Sequence, residues 1–417
     1  MRHGRRAALI RAFTLGAMLA SAGGCGSTAT PTSGASASDA IAQPSGPPVL
    51  GIDWGRSPSV ERPKNFEVDP NSPVYTGTHP ILRFPGQAML ADVIELPRGG
   101  FVTVGYLPPD WVPAAWTSTD GQAWSIHLMG TTDFTFPVAL AARADGTVVA
   151  VGRSEQLPVA WTTVDGIEWS RHEVPVLGSD VPERMTAVAA GAHGYVAGGS
   201  AGPEIFERHA RFWTSADGIE WQPVPDDPGA FANAEVRAIT RFGDGFVAVG
   251  VVGSAQHHTG AVAWTSADGR TWTRLDDPAF AAGIAAAVVT TPTGGLVAVG
   301  SDLDRHEAFV WTSSDGRHWT KAPGEPSRQH PAYIWMTDVT AIGDSLIAVG
   351  DFQSGQRGTA TSWVSRDGIH WDRARTAPVQ EQVELYAVTP GGPGAIAVGS
   401  FGAPDSYVPT IFLSPAR

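Results

Sequence analysis

Trp264-Thr265-Ser266-Ala267-Asp268-Gly269-Arg270-Thr271-Trp272 is one of six near-copies of a nine-residue motif, W-T-S-x-D-G-x-x-W. The others run Trp116 to Trp124, Trp161 to Trp169, Trp213 to Trp221, Trp311 to Trp319 and Trp363 to Trp371. Ser at turn position i, Asp at i+2 and Gly at i+3 suit a type I turn whose Gly takes positive φ. The Asp side chain can accept hydrogen bonds from neighbouring backbone N–H groups. The paired Trp residues supply large apolar area for packing between repeated units. Six equivalent copies indicate architecture, because a single ligand site has no use for six.

A second signature precedes each copy, a β-rich run ending in Gly: Gly105, Gly152, Gly199, Gly250, Gly300, Gly350 and Gly399, at gaps of 47, 47, 51, 50, 50 and 49. Each unit reads as four short strands. In the sixth, strand A contains Met336 to Thr340, strand B Leu346 to Gly350, strand C Thr361 to Ser365 and strand D Ile369 to Trp371. Four strands in about fifty residues is the size of a propeller blade. The seventh unit ends at strand C, Thr410 to Ser414, with Phe412 at the first Trp position. Its missing strand D stands at the other end, where Gly51-Ile52-Asp53-Trp54 matches Gly166 to Trp169, Gly218 to Trp221 and Gly368 to Trp371. The expected fold is all-β: a seven-bladed β-propeller of four-stranded antiparallel blades, the last closed by an N-terminal strand.

At these residues the chain resembles the Asp-box, or BNR-repeat, propellers, a superfamily that includes the sialidases. The usual motif is S-x-D-x-G-x-x-W. Here it is one residue shorter, and Thr163 replaces Ser in blade 2. The resemblance covers about residues 88–414 and implies fold more strongly than activity. Sialidases of this superfamily have six blades, an Arg triad, a Tyr–Glu pair and an acid/base Asp, with the first Arg in an F-R-I-P motif. Leu82-Arg83-Phe84-Pro85 matches that motif in part. Neither the Tyr–Glu pair nor the other two Arg can be placed in the sequence.

The N-terminus is an address. Arg2, Arg5, Arg6 and Arg11 precede an apolar run from Ala12 to Ala22, and then Gly23-Gly24-Cys25. A basic start, a short apolar run and small residues describe a secretory signal, too short for a permanent span. The single Cys of the chain sits at the cut. This resembles a bacterial lipoprotein signal, with Ala22 in place of the usual Leu, and implies lipidation of Cys25. Residues 26–48, rich in Ser, Thr, Ala, Pro and Gly, read as a tether. The expected organisation is a signal at 1–24, lipidated Cys25 and tether over 25–48, and the propeller over 49–417.

Composition limits the function. Of 417 residues, 42% are hydrophobic and 17% charged, which suits a large folded core. A net charge of −13 argues against nucleic acid as a partner. One Cys excludes a disulfide framework and a Cys-rich zinc site. No cofactor is implied, and the expected state is a monomer.

A site belongs on the face carrying the B–C and D–A loops, which vary while the A–B and C–D turns are plain. Trp111 and Trp335 lie outside the repeat, with Tyr106, Tyr333 and Tyr407 in the same class of loops, and are the candidate ligand-binding aromatics. Asp92 and Asp338 replace the Ala that other blades carry near the axis (Ala139, Ala187, Ala238, Ala287 and Ala387), and are candidates for acid/base work. His209, His257, His258 and His306, among carboxylates in the loops of blades 3 to 5, are candidate metal ligands without a tight motif. The leading function is a lipid-anchored extracytoplasmic module binding a protein or glycan, without identifiable catalysis. The alternatives are a sialidase-like carbohydrate hydrolase and a structural hub at the cell envelope.

The anchoring expectation is tested by detergent partition. The mature protein should enter the detergent phase and begin at a lipidated Cys25, and Cys25→Ser should abolish both. Wild-type protein in the aqueous phase with another N-terminus would refute it.

Overall fold

The computed structural model describes Trp54 to Ser414 apart from residues 58, 63–64, 68–80, 84–86, 109, 131–133, 179–180, 203–207, 254–257, 303–306, 323–331, 355–356, 375–382, 392–393 and 402–406. All described residues belong to the unit Pro47–Arg417. Cys25 and the rest of the expected signal and tether lie outside them.

Seven antiparallel sheets form a β-propeller. Strand A is Met89–Glu95 in blade 1, Thr135–Ala142 in blade 2, Glu183–Gly191 in blade 3 and Ala234–Phe242 in blade 4. It is Ile284–Thr290 in blade 5, Ala332–Ile342 in blade 6 and Val383–Gly391 in blade 7. Each strand A packs on the next, and the last packs on the first, so the inner ring is closed. Blades 1 to 6 then continue B, C, D outward in sequence order.

Apolar packing lies between blades. Seven buried clusters each join residues of two successive blades. Between blades 3 and 4, for example, Phe212 stacks on Trp272 at 4.0 Å between ring centroids and meets Trp264 edge-on at 5.9 Å. The six strand C tryptophans are fully buried.

The Asp-Gly turn behaves as its sequence requires. In blade 4, Ser266 Oγ accepts from Gly269 N at 2.8 Å, and Asp268 Oδ1 accepts from Arg270 N and Thr271 N, both at 2.8 Å. Gly269 has φ of 74°, and Trp272 Nε1 donates to its carbonyl at 3.0 Å. The expected strand D, however, begins too early. Gly368 to His370 belong to the turn, and the strand is Asp372–Arg373. The Asp carboxylate holds the two N–H groups after Gly, so pairing starts only beyond them.

Closure follows the same offset. Gly55–Arg56 pairs antiparallel with Val408–Ser414, Gly55 opposite Leu413, to complete blade 7. Trp54 takes the buried Trp place, its Nε1 donating to Ser362 Oγ at 2.8 Å. The strap then crosses to blade 1. Ser57 N donates to Ile411 O and Ser57 Oγ to Gly121 O. Ser59–Val60 adds a fifth, parallel strand beside Ala123–Leu128. Trp116 Nε1 donates to the Glu61 carbonyl at 2.9 Å. One short segment thus closes two blades. A hairpin of Asn65–Glu67 and Ile81–Arg83 follows, which the sequence did not announce.

Strand A carries a bulge in every blade, facing the conserved-place Gly of strand B. A Cβ on that Gly would sit 1.8–1.9 Å from a strand A carbonyl oxygen in all seven blades. At Gly250 the oxygen belongs to Glu235. Gly250→Ala should therefore lower stability by on the order of 3 kcal/mol in denaturant unfolding, while Gly178→Ala, with nothing within 4 Å, should change it by less than about 0.5 kcal/mol.

Candidate functional site

The bulge decides which side chains face the channel. It adds one residue to strand A before the small residue near the axis: Ala91, Val138, Thr186, Arg237, Ala286, Thr337 and Tyr386. All seven are half-buried, whereas the residues just before them are buried. Two positions upstream stand Met89, Phe136, Arg184, Glu235, Ile284, Trp335 and Glu384. Strand A begins at the D–A loop, so these positions form the channel mouth on the loop-rich face. In strand B, Tyr106, Arg153 and Asp351 follow the Gly and sit opposite Met89, Phe136 and Trp335.

One side of the mouth is cationic. Arg208 and Glu235 form an ion pair, both buried. Arg237 Nε lies 3.5 Å from the other oxygen of Glu235. Arg184 Nε donates to Ser200 Oγ at 3.1 Å. Burial opposes the charge of Glu235, but Arg237, Arg208 and Arg184 overcome it and hold the pKa down at about 2. Burial, with repulsion from Arg208, Arg153 and Arg237, lowers Arg184 to about 10 despite Glu235. Burial also brings Arg153 to about 10, against the pull of Tyr106.

The other side is acidic and phenolic. Tyr386 Oη donates to Glu384 Oε2 at 2.6 Å. Burial and then Glu384 push the Tyr386 phenol well above its usual range. Asp351 is buried and accepts from Leu385 N at 3.1 Å. Burial, then the nearby Glu384, raise it well above the usual carboxylate range.

The aromatic candidates divide. Tyr106 and Tyr407 are buried, at 6% and 5% exposure, in a cluster with Met89 and Phe136. Trp111 is half-buried against it, 5.6 Å from Tyr106 and 5.8 Å from Phe136 between ring centroids. These rings pack on one another instead of projecting, because the loop is folded down: Thr135 N donates to the Trp111 carbonyl, and Trp111 takes φ of 58°. Phe134, also at positive φ, is the exposed aromatic there, at 45%. Trp335 is half-buried at the mouth, and the Tyr333 side chain lies outside the described residues.

The two axial carboxylates mainly fasten blades. Asp92 Oδ1 accepts from Val93 N and Oδ2 from Leu140 N of blade 2, both at 2.7 Å. Asp338 does the same to Val339 N and to Val388 N of blade 7, both at 2.8 Å. Burial, then Asp338, raises Asp92 to about 8; burial raises Asp338 to about 7.

The histidines form no centre among the described residues. His209 is half-buried at the start of strand C, and its Nδ1 has no hydrogen-bond partner. His257, His306 and the His258 side chain lie outside them. Among the described residues no group of three or more His, Cys, Asp or Glu is placed to hold a metal. Arg83 is in the N-terminal hairpin, its side chain outside the description.

Sequence reasoning missed Arg184, Arg237, Glu384 and Tyr386. The signal was present: each stands one or three places before the small–aliphatic pair of its strand A. Without the bulge, that alternation assigns Arg237 and Tyr386 to the wrong side of the strand.

Comparison with known proteins supports the fold alone. No family model and no curated protein matches the chain. A protein of unknown function from Dyadobacter fermentans superposes with a TM-score of 0.50 at 15% identity, over 80% of this chain and 96% of that one. Trypanosoma rangeli sialidase gives 0.49 at 11%, over 86% and 58%, and phage phi92 endosialidase 0.48 at 10%, over 79% and 68%.

The axial carboxylates give a pH signature. Their folded pKa values exceed the unfolded value near 3.8, so the fold favours the protonated form. That contribution is complete below pH 3.8 and is lost as pH rises through 7 and 8. The melting temperature should therefore fall between about pH 4 and 8 and level off above that. In Asp92→Asn and Asp338→Asn the decline should be shallower, though both start lower because Asn offers one acceptor for two N–H donors. An unchanged slope in the double variant would refute the assignment.

Proposed function

We propose that this chain is an exported binding propeller, held to the outer face of the bacterial cell membrane by lipid on Cys25, whose loop-rich mouth takes a protein or glycan. The observation that carries the reading is the asymmetry of the mouth. Elsewhere the blades repeat, whereas here Arg184, Arg237, Glu384 and Tyr386 occupy equivalent positions with unlike chemistry. Packing does not require charge at positions that Ala91 and Ala286 fill in other blades. Variable groups on a rigid repeat scaffold are the usual arrangement of a recognition surface.

A second reading, a sialidase-like hydrolase, is favoured by the 2.6 Å bond from Tyr386 to Glu384. A carboxylate that takes the phenolic proton makes the phenolate a nucleophile, and a neighbouring carboxyl of raised pKa can serve as an acid. Asp351 is committed to Leu385 N and buried, which places it poorly for a leaving group.

One experiment separates the readings. The full chain in detergent is screened against glycans and envelope proteins, and against chromogenic glycosides. A binding module gives a saturable ligand, no turnover, and weaker binding on Glu384→Gln or Arg184→Gln. Turnover that disappears in Tyr386→Phe while binding survives would establish the hydrolase instead.

A further inference from the structure

We propose that the arginine arc of the mouth, Arg184, Arg208 and Arg237 around Glu235, is a site for a tetrahedral dianion, a phosphoryl or sulfuryl group carried by the ligand. This deepens the binding reading above and rests on it. The first support is the charge count. Three guanidinium groups share one carboxylate among the described residues. Arg211 belongs elsewhere, since it lies 2.5 Å from Asp226 and 3.6 Å from Glu183. Among the described residues the arc therefore has an excess of two positive charges at a partly desolvated wall, where repulsion is weakly screened.

The second support is which nitrogens are committed. Arg208 is fixed to Glu235 and buried, so it is the foundation of the arc. Arg184 uses Nε on Ser200, and Arg237 approaches Glu235 through Nε. Among the described residues neither has a hydrogen-bond partner for its terminal nitrogens. The two are held close together: Thr186 Oγ1 donates to Val236 O at 2.6 Å, tying the strand carrying Arg184 to that carrying Arg237. Arg237 is 29% exposed and so remains reachable from solvent.

The third support is the fit of charge and shape. A monoanion leaves the arc with one charge in excess, whereas a dianion balances it. Several guanidinium forks approaching from neighbouring strands suit an oxyanion with three free oxygens, because each fork can take a separate edge. The depressed basicity of Arg184 is consistent with repulsion that such a ligand would relieve.

The test uses the full chain in detergent, with inorganic phosphate, phenyl phosphate, sulfate and acetate as probes, by calorimetry at constant ionic strength. Phosphate or sulfate should bind saturably, and acetate should not compete. Arg184→Gln and Arg237→Gln should each weaken binding by about tenfold or more, the worth of a charge-assisted bond. Neither removes the buried Arg208–Glu235 pair, so melting curves should show both variants folded. Phosphate binding should strengthen from pH 5.5 to 7.5 as the dianion forms, while sulfate binding stays level. That contrast, with the relative affinity for phenyl phosphate, distinguishes the phosphoryl from the sulfuryl source. Binding that is equal for acetate, or unchanged in both variants, overturns the dianion site. If a protein or glycan binds at the mouth and is lost in Glu384→Gln while no oxyanion binds, this assignment alone fails. If no substitution at the mouth affects any ligand, the binding reading fails with it.

Discussion

A carbonyl oxygen of strand A presses against the backbone of strand B at the same place in every blade, and only Gly tolerates the approach. At Gly350, for example, a Cβ would sit 1.8 Å from the oxygen of Trp335. The contact exists because strand A bulges there, and the bulge exists because an inner strand must bend to join a closed ring. Much follows from it. The bulged residue leaves the ladder, so blade pairing does not dictate its identity. Seven such positions form a ring of free choices inside a structure whose other positions are largely fixed. Thr186 and Thr337 use theirs to fasten neighbouring blades through backbone carbonyls. Arg237 and Tyr386 use theirs to place polar groups at the mouth.

Cohesion is divided between two radii. Outside, tryptophans pack blade on blade, and the Asp-Gly turn anchors the second ring by its N–H. Inside, the crowded wall leaves little room for large side chains, and polar links take over. Asp92 and Asp338 each reach a backbone N–H of the next blade. A carboxylate is an unusual fastener, since the group bears a cost when ionised in so enclosed a place. Its advantage is two acceptors on a short stem, which matches two N–H groups of adjacent strands.

Much of the architecture was legible because repetition multiplies weak signals. Six copies of W-T-S-x-D-G-x-x-W and seven spaced glycines gave blade count, strand order and the N-terminal origin of the closing strand, but not its offset to Gly55–Arg56. The site was less legible because side-chain facing depends on a bulge that the sequence marks only by its opposing Gly. Reading strict alternation through Arg237 or Tyr386 puts both on the wrong face. Trp111 and Tyr106 drew attention by standing outside the repeat, yet they pack with Phe136 and Tyr407 in a cap over three blades. Lying outside a repeat marks a residue as particular without saying whether it packs or binds.

The strap from Trp54 to Glu61 has a consequence for how the ring comes together in time. It emerges first and finds its partners last, since Val408–Ser414 stands at the far end of the chain. Closing a loop of about 350 residues instead of about 50 costs only about 1.7 kcal/mol more, because the entropy grows with the logarithm of length. The final step is therefore cheap to reach but rests on two ladder pairs with blade 7 and two with blade 1. At high local concentration, a strap from one molecule competes on nearly equal terms for the open seam of another. High protein concentration thus favours exchanged pairs of propellers, each sealed by the other's first strand.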